Sequence, residues 1–295
     1  MLSILIPTYN YNTTALVKTL QQQAIACAVA FEIIVLDDAS SNTQSSTENK
    51  KINALEHCIY LENQKNLGRT ATRNILAHKA TFKWLLFLDA DVIPLHKNFI
   101  QTYLKQVNNQ YQIISGGITY EDKRPMQDQL LRWVYGRARE SKSAEARNKK
   151  PYNLISANLL VTKELFVKAN NFETNHYGLD ILFSYKLKVQ KVTVLHIENQ
   201  VIHLGLENTD SFIKKSLQSL ETTFFLETNK EMDFSSRPLQ IKYYKLKKIV
   251  ALPILNTLVK RFEKPILKNL HSKNPSLLLF DLYRLNYYSK LKANA

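Results

Sequence analysis

Cysteine is nearly absent from this chain: Cys27 and Cys58 are the two that occur in 295 residues. They lie far apart and form no CxxC. A disulfide framework and a zinc site are thereby disfavoured, and a reducing compartment fits. Glycine is scarce as well, at six. No G-x-G-x-x-G follows the first strand candidate, which argues against a dinucleotide-binding oxidoreductase. No apolar run reaches the roughly 20 residues that cross a bilayer. The best candidate, Ile249 to Val259, is interrupted by Pro253 and Asn256. Acid is in deficit too: 40 Lys and Arg stand against 25 Asp and Glu, for a net charge of +15. The excess is local. From Leu239 to Ala295, twelve basic residues meet two acids, Glu263 and Asp281, so the tail carries +10 of the +15. That points to an anionic partner for the tail rather than for the whole chain. The start, Met1 to Pro7, has no basic leader region and reads as a first strand.

What is present is an alternation of strand and helix. Ser3–Pro7, Phe31–Leu36, Ile59–Glu62 and Trp84–Leu88 have strand character, and Thr14–Ala28 and Gly68–Lys79 are helical. Phe99, Ile100, Tyr103, Leu104 and Val107 have helical spacing. This order predicts an α/β fold with a mostly parallel sheet flanked by helices. Further on, Ile113–Ile118, Leu154–Val161 and Val192–His196 read as strands. Met126–Arg139, Lys163–Ala169, Asp180–Val189 and Ser211–Glu227 read as helices, and Glu140–Lys150 as a mobile loop. Composition shifts near Ser235-Ser236-Arg237-Pro238. The expected organisation is a domain over 1–235 and a basic, Tyr- and Leu-rich helical extension over 236–295.

Four polar segments fall at the carboxyl ends of the early strands, where open α/β sheets bind ligands. They are Pro7-Thr8-Tyr9-Asn10, Asp37-Asp38-Ala39-Ser40, Asn66 to Asn74, and Asp89-Ala90-Asp91. Singly, each is ordinary: a turn, a solvated loop with a helix cap, a glycine turn before a helix, a chance D-x-D. Together they describe a site. Two carboxylates spaced i, i+2 share one hard divalent cation and leave room for a phosphate. Gly68 lets backbone approach a ligand, and Arg69 and Arg73 suit a diphosphate.

This series of motifs resembles glycosyltransferase family 2, inverting enzymes of the GT-A fold, over about the first hundred residues. The resemblance implies a nucleotide-diphospho-sugar donor, a saccharide or lipid-linked acceptor, and Mn²⁺ or Mg²⁺. Pro7, Thr8 and Tyr9 would then lie beside the nucleotide, with Asp37 and Asp38 on base and ribose. Gly68, Arg69, Arg73, Asp89 and Ala90 would line the donor, and Asp91 would ligate the metal. Family members commonly carry a Glu-Asp pair opening a later helix; here Leu179-Asp180 stands there. The match makes Asp180 the catalytic base, an acidic helix cap being the alternative. His203 completes the metal site or touches the diphosphate, unless it is simply buried. Ser156 and Asn158 resemble a segment lining the sugar and acceptor pocket, and Trp133 is a candidate for stacking on a sugar ring. Leu179 in place of the glutamate keeps open a non-catalytic nucleotide-sugar-binding or scaffold protein.

The tail mixes basic, aromatic and apolar residues. It reads as a segment lying on an anionic membrane surface, or as helices packed on the domain with a solvated basic face. No nucleic-acid motif accompanies the charge, so nucleic acid is not expected as a partner. The whole reads as a cytoplasmic protein, peripheral to the inner face of a membrane.

Overall fold

The computed structural model describes residues 1–107, 110–170, 177–234 and 236–293. Strands occur at β1 (Leu2–Thr8), β2 (Phe31–Asp37), β3 (Cys58–Glu62), β4 (Trp84–Leu88), β5 (Val92–Pro94), β6 (Ile113–Ser115), β7 (Ile118–Thr119), β8 (Asn158–Thr162), β9 (Val194–His196) and β10 (Val201–His203). Helices in the first half are α1 (Thr14–Ala26), α2 (Thr43–Lys50), α3 (Arg69–Lys79), α4 (Phe99–Leu104), α5 (Leu130–Tyr135) and α6 (Ala144–Asn148). Those after it are α7 (Lys163–Ala169), α8 (Asp180–Val189), α9 (Thr209–Thr228), α10 (Pro238–Lys248), α11 (Leu252–Arg261), α12 (Glu263–Leu270) and α13 (Leu277–Ala293).

A seven-stranded sheet has the order β3-β2-β1-β4-β8-β6-β9. β1 pairs in parallel with β2 and β4, and β2 with β3. β8 runs antiparallel to β4 and β6, so it is the one reversed strand of the seven. The apolar runs explain the arrangement: all five residues of β4 are buried, as a strand covered on both faces requires. α1 covers the sheet with Leu16, Val17, Leu20 and Ala24, which share one face at helical spacing. A second sheet, β5-β10-β7, is small, with β10 antiparallel to β5 and parallel to β7.

The single strand expected over Ile113–Ile118 is broken into β6 and β7. Gly116 and Gly117 make the break. Gly117 has φ +78°, and a Cβ on Gly116 would sit 2.3 Å from the Asn199 carbonyl oxygen. The chain thus leaves one sheet and enters the other where only glycine fits. Met126–Arg139, expected as one helix, is a 3₁₀ turn at Gln127–Gln129, then α5, then a π-helical turn at Gly136–Glu140.

Glu140–Lys150, expected as a mobile loop, is instead fastened by a buried arginine. Arg147 on α6 donates to the carbonyls of Lys142, Ser115, Gly116 and Ile197 at 2.7–3.1 Å. Its Nη1 also lies 3.0 Å from His196 Nδ1, and His196 Nε2 lies 2.9 Å from the Pro151 carbonyl oxygen. Four carbonyls on one guanidinium tie this segment to the ends of β6 and β9.

The chain forms two compact units. The first comprises Met1–Glu121, Glu140–Asn175 and Lys186–Gly205, and holds both sheets. The second comprises Asp122–Arg139, His176–Tyr185 and Leu206–Ala295. Its core gathers Leu131, Phe212, Ile213, Val259, Ile266, Leu270 and Phe280, continued by Leu220, Tyr243, Leu252, Leu285 and Tyr288. The boundary expected at 235 falls on a residue outside the described ones. Residues 236–293 are helical, as α10 to α13.

Candidate active site

The first unit brings the carboxyl ends of β1, β2 and β4 side by side, because Thr8 pairs with Asp37 and Leu5 with Phe87. After β1, Tyr9 is exposed, and Asn10, at φ +55°, donates its backbone N–H to Ser40 Oγ at 2.6 Å. After β2, both carboxylates are buried and engaged by the protein. Asp37 accepts from the Ser40 N–H and the Tyr60 hydroxyl, each at 2.7 Å. Burial and the Asp37 carboxylate push the Tyr60 phenol well above its ordinary range. Asp38 accepts from the N–H groups of Leu67 and Gly68, at 2.8 and 2.7 Å, and from Asn63 Nδ2 at 2.9 Å. Asp38 therefore shapes the turn that opens α3, where Gly68 has φ +83°.

α3 then delivers two arginines one turn apart. Arg69 Nη2 lies 2.5 Å from Asp89 Oδ2, and Arg73 Nη2 lies 2.6 Å from Asp89 Oδ1. Both also reach Ser156 Oγ, at 3.3 and 3.0 Å, and Arg73 donates to the Ser156 carbonyl oxygen at 3.2 Å. Arg73 is buried, whereas Arg69 is about half exposed. Burial alone would raise the Asp89 pKa, but the two guanidiniums outweigh it and hold this carboxyl below its ordinary value. The group of three carries a net positive charge, and Asp89 is committed to the arginines.

Asp91 is placed by different forces. It sits just before β5, and the β5–β10 ladder pairs Val92 with His203. That register sets His203 Nε2 3.5 Å from Asp91 Oδ2. The Leu204 N–H donates to the Asp91 carbonyl oxygen at 2.8 Å. The Asp91 carboxylate lies against Gly205 so closely that a Cβ there would be 1.9 Å from Oδ2. Burial raises the Asp91 pKa, and the Asp89 charge adds to the rise, against the pull of His203 and Arg69. The Asp91 charge in turn adds to the effect of burial in raising the Tyr11 phenol.

These residues fit a hard divalent cation in one way only. Among the described residues no three His, Cys, Asp or Glu side chains gather to hold a metal. Asp91 and His203 supply two donors, and Asp91 is a carboxylate whose burial already favours a cation. The pair suits a metal that takes its other ligands from an anionic donor and water, not an all-protein cage.

The other expected residues lie elsewhere. Asn158 is fully buried: its Oδ1 accepts from the Tyr103 hydroxyl at 2.6 Å, and its Nδ2 donates to the Gly117 and Asn199 carbonyls at 2.8 Å. Its side chain is bound up in the core by these three hydrogen bonds. Ser156 joins the arginine cluster. Asp180 and Trp133 belong to the second unit. Asp180 is exposed at the start of α8, while Leu179 beside it is buried. The Trp133 ring has the Arg137 guanidinium 4.9 Å from its centroid, and Arg137 pairs with Asp122 at 2.7 Å. Sequence reasoning gave no role to Gly205 or Tyr11. The signal available for Gly205 was a glycine two residues beyond a candidate ligand in a chain that has six.

Sheet order and site together define a GT-A glycosyltransferase fold. The model of Glycosyl transferase family 2 matches residues 3–166, and the chain belongs to that family. Among curated proteins it is 33% identical over 93 residues to an uncharacterized glycosyltransferase of Haemophilus influenzae, covering 31% of this chain and 29% of that one. It is 27% identical over 110 residues to another of Methanocaldococcus jannaschii, covering 37% and 38%. The matches thus span about a third of the length of these relatives. Among solved structures, S. aureus TarS 1-349 in complex with UDP-GlcNAc has a TM-score of 0.52 at 15% identity, over 99% of this chain and 92% of that one. The mannosyltransferase PcManGT from Pyrobaculum calidifontis, in complex with GDP-Man and Mn²⁺, has a TM-score of 0.52 at 12% identity, over 75% and 63%.

Proposed function

We propose that this protein transfers a sugar from a nucleotide-diphospho-sugar to a hydroxyl of a saccharide or lipid-linked saccharide, with inversion and with a divalent cation. One observation carries the reading. The Arg69–Asp89–Arg73 group and the Asp91–His203 pair stand together at the carboxyl end of β4. The solved GT-A structures that hold GDP-Man with Mn²⁺, or UDP-GlcNAc, support the donor class.

Rupture of a sugar–phosphate bond leaves a diphosphate with new negative charge. The net positive Arg69–Asp89–Arg73 group is preorganised to receive it, because Asp89 fixes both guanidiniums before any ligand arrives. Half-exposed Arg69 would meet phosphate oxygens, while buried Arg73 holds the geometry. Asp91 and His203 would hold Mn²⁺ or Mg²⁺, which supplies Lewis-acid stabilisation of the leaving diphosphate when bound. Pro7, Thr8 and Tyr9 flank the nucleotide, with exposed Tyr9 available to stack on the base. Asp37 and Asp38 hold the loops around it, and Ala90 leaves room between the two acidic residues. Asp180, an exposed carboxylate at a helix start, is the candidate base for the acceptor proton. Trp133 offers a ring to the acceptor sugar.

Buried Leu179, where the family commonly has a glutamate, favours a second reading: a nucleotide-sugar-binding scaffold without catalysis. Donor turnover separates the two. Mn²⁺-dependent hydrolysis or transfer that is lost in Asp91→Ala and reduced at least about a hundredfold in Asp180→Asn supports the enzyme. A folded Asp180→Asn variant with full rate removes Asp180 as base. Donor binding without turnover by the wild type leaves the scaffold.

A further inference from the structure

In the second unit, α11 has two apolar sides. Leu252, Leu255 and Val259 turn inward and pack in the clusters that include Phe280, Leu285 and Tyr288. On the other side Ile254 and Leu258 are 65% and 51% exposed, and Val250 before the helix and Phe262 just after it are 74% and 49% exposed. The solvent side of a packed helix is ordinarily polar. A continuous apolar stripe in that place marks a surface that meets another phase or partner.

The rim of the stripe identifies the partner. Lys247, Lys248, Lys260, Arg261, Lys264 and Lys268 are all exposed, and Glu263 is the only acid between Leu239 and Phe280. A second copy of the chain would bring the same basic rim against this one, so like charges oppose self-association. An apolar strip edged by cations matches an anionic bilayer surface, whose headgroups take the charge and whose acyl boundary takes the side chains. No helix among the described residues is long and apolar enough to cross a membrane, so the fit is to the interface.

We propose that α11 and the start of α12 dock on anionic phospholipid, with Val250, Ile254, Leu258 and Phe262 entering the headgroup–acyl boundary and the basic rim on the headgroups. The proposal does not rest on the donor-site reading. It is tested with the full chain and sucrose-loaded vesicles of phosphatidylcholine with or without phosphatidylglycerol. Wild type is expected to sediment with the phosphatidylglycerol vesicles and to be released by salt. Ile254→Ser/Leu258→Ser/Phe262→Ser is expected to weaken binding by at least about tenfold, since each large side chain contributes appreciably on burial. Lys247→Gln/Lys248→Gln/Lys260→Gln/Arg261→Gln is expected to lose both binding and salt sensitivity. All seven positions are exposed, so circular dichroism should show folded variants. Equal sedimentation of wild type and the triple serine variant overturns the proposal. So does a concentration-dependent dimer, seen by light scattering, that the serine variant dissolves, because the stripe then belongs to a second copy. Transfer to a soluble acceptor, read in parallel, reports the donor site separately.

Discussion

His203 Nε2 lies 3.5 Å from Asp91 Oδ2 because β10 runs antiparallel to β5 with His203 opposite Val92. The three-stranded sheet therefore builds the Asp91–His203 end of the site, and the seven-stranded sheet builds the arginine end. Neither sheet alone carries both.

Gly205 is the tightest point of this arrangement. In Gly205→Ala the new Cβ would lie 1.9 Å from Asp91 Oδ2, so the carboxylate must move. A displacement of about 1 Å in a reacting geometry lowers rate on the order of a hundredfold. Gly205→Ala is expected to lose about that much in kcat/KM and to need more Mn²⁺ for half-maximal rate. Unchanged Mn²⁺ dependence would show that Asp91 is not the metal ligand.

Asp91 also links function to stability. Its folded pKa lies above the ordinary carboxylate value, from burial first and the Asp89 charge next. A group of this kind subtracts stability once pH exceeds its pKa in the unfolded chain, about 3.9. Asp91→Asn should therefore melt at a higher temperature than wild type at pH 7 without divalent cation. The gap should close as pH falls toward the acid range. Mn²⁺ should raise the melting temperature of wild type but not of the variant. Transfer should fall by about 10²–10³-fold. A lower melting temperature for Asp91→Asn at pH 7 would contradict the assignment of strain to this charge.

Arg69 and Arg73 pair with the same carboxylate, yet their removal should differ. Arg73 is buried on Asp89 and Ser156, and deleting one partner of a buried pair costs about 3–5 kcal/mol. Because Asp89 keeps Arg69, the lower end is expected for Arg73→Ala in urea unfolding. Arg69 is half exposed, so Arg69→Ala should cost about 1 kcal/mol or less while still lowering kcat/KM. The pH course follows from Asp89. Its lowered pKa gives stability that is present above about pH 4 and is lost as pH falls through the folded value. In Arg73→Ala the folded value moves back toward the unfolded one, so that acid loss should be smaller. Equal urea midpoints for the two variants would refute this division.

The sheet was legible in the sequence because its strands are uninterrupted apolar runs. Trp84–Leu88 begins and ends where β4 does, and Lys163–Ala169 and Asp180–Val189 match α7 and α8. Asp91 and the Arg69–Arg73 spacing were legible for the same reason: each sits a fixed step beyond a strand end. Pairing across the fold was not. The partners of Asp89 and the neighbour of Asp91 depend on the register of β10 and on a loop at Ser156, which no local pattern encodes. Burial of polar residues was equally hidden. Arg147 and Asn158 look like surface residues by composition, yet each satisfies several carbonyls inside the first unit. Such hubs become visible only once backbone carbonyls have positions.

Leu179 bears on the base role proposed for Asp180. It is buried, while Asp180 beside it is exposed at the first turn of α8. A glutamate at 179 on this backbone would place its carboxylate in a buried position, where an unpaired charge is costly. Leu179→Glu is therefore expected to lower stability by about 2–4 kcal/mol in urea unfolding. It is not expected to raise transfer, because the side chain leaves from the inner side of the helix start and Asp180 from the outer. If Leu179→Glu instead keeps wild-type stability and raises kcat, residue 179 reaches the acceptor side. The base role would then belong to the pair rather than to Asp180 alone.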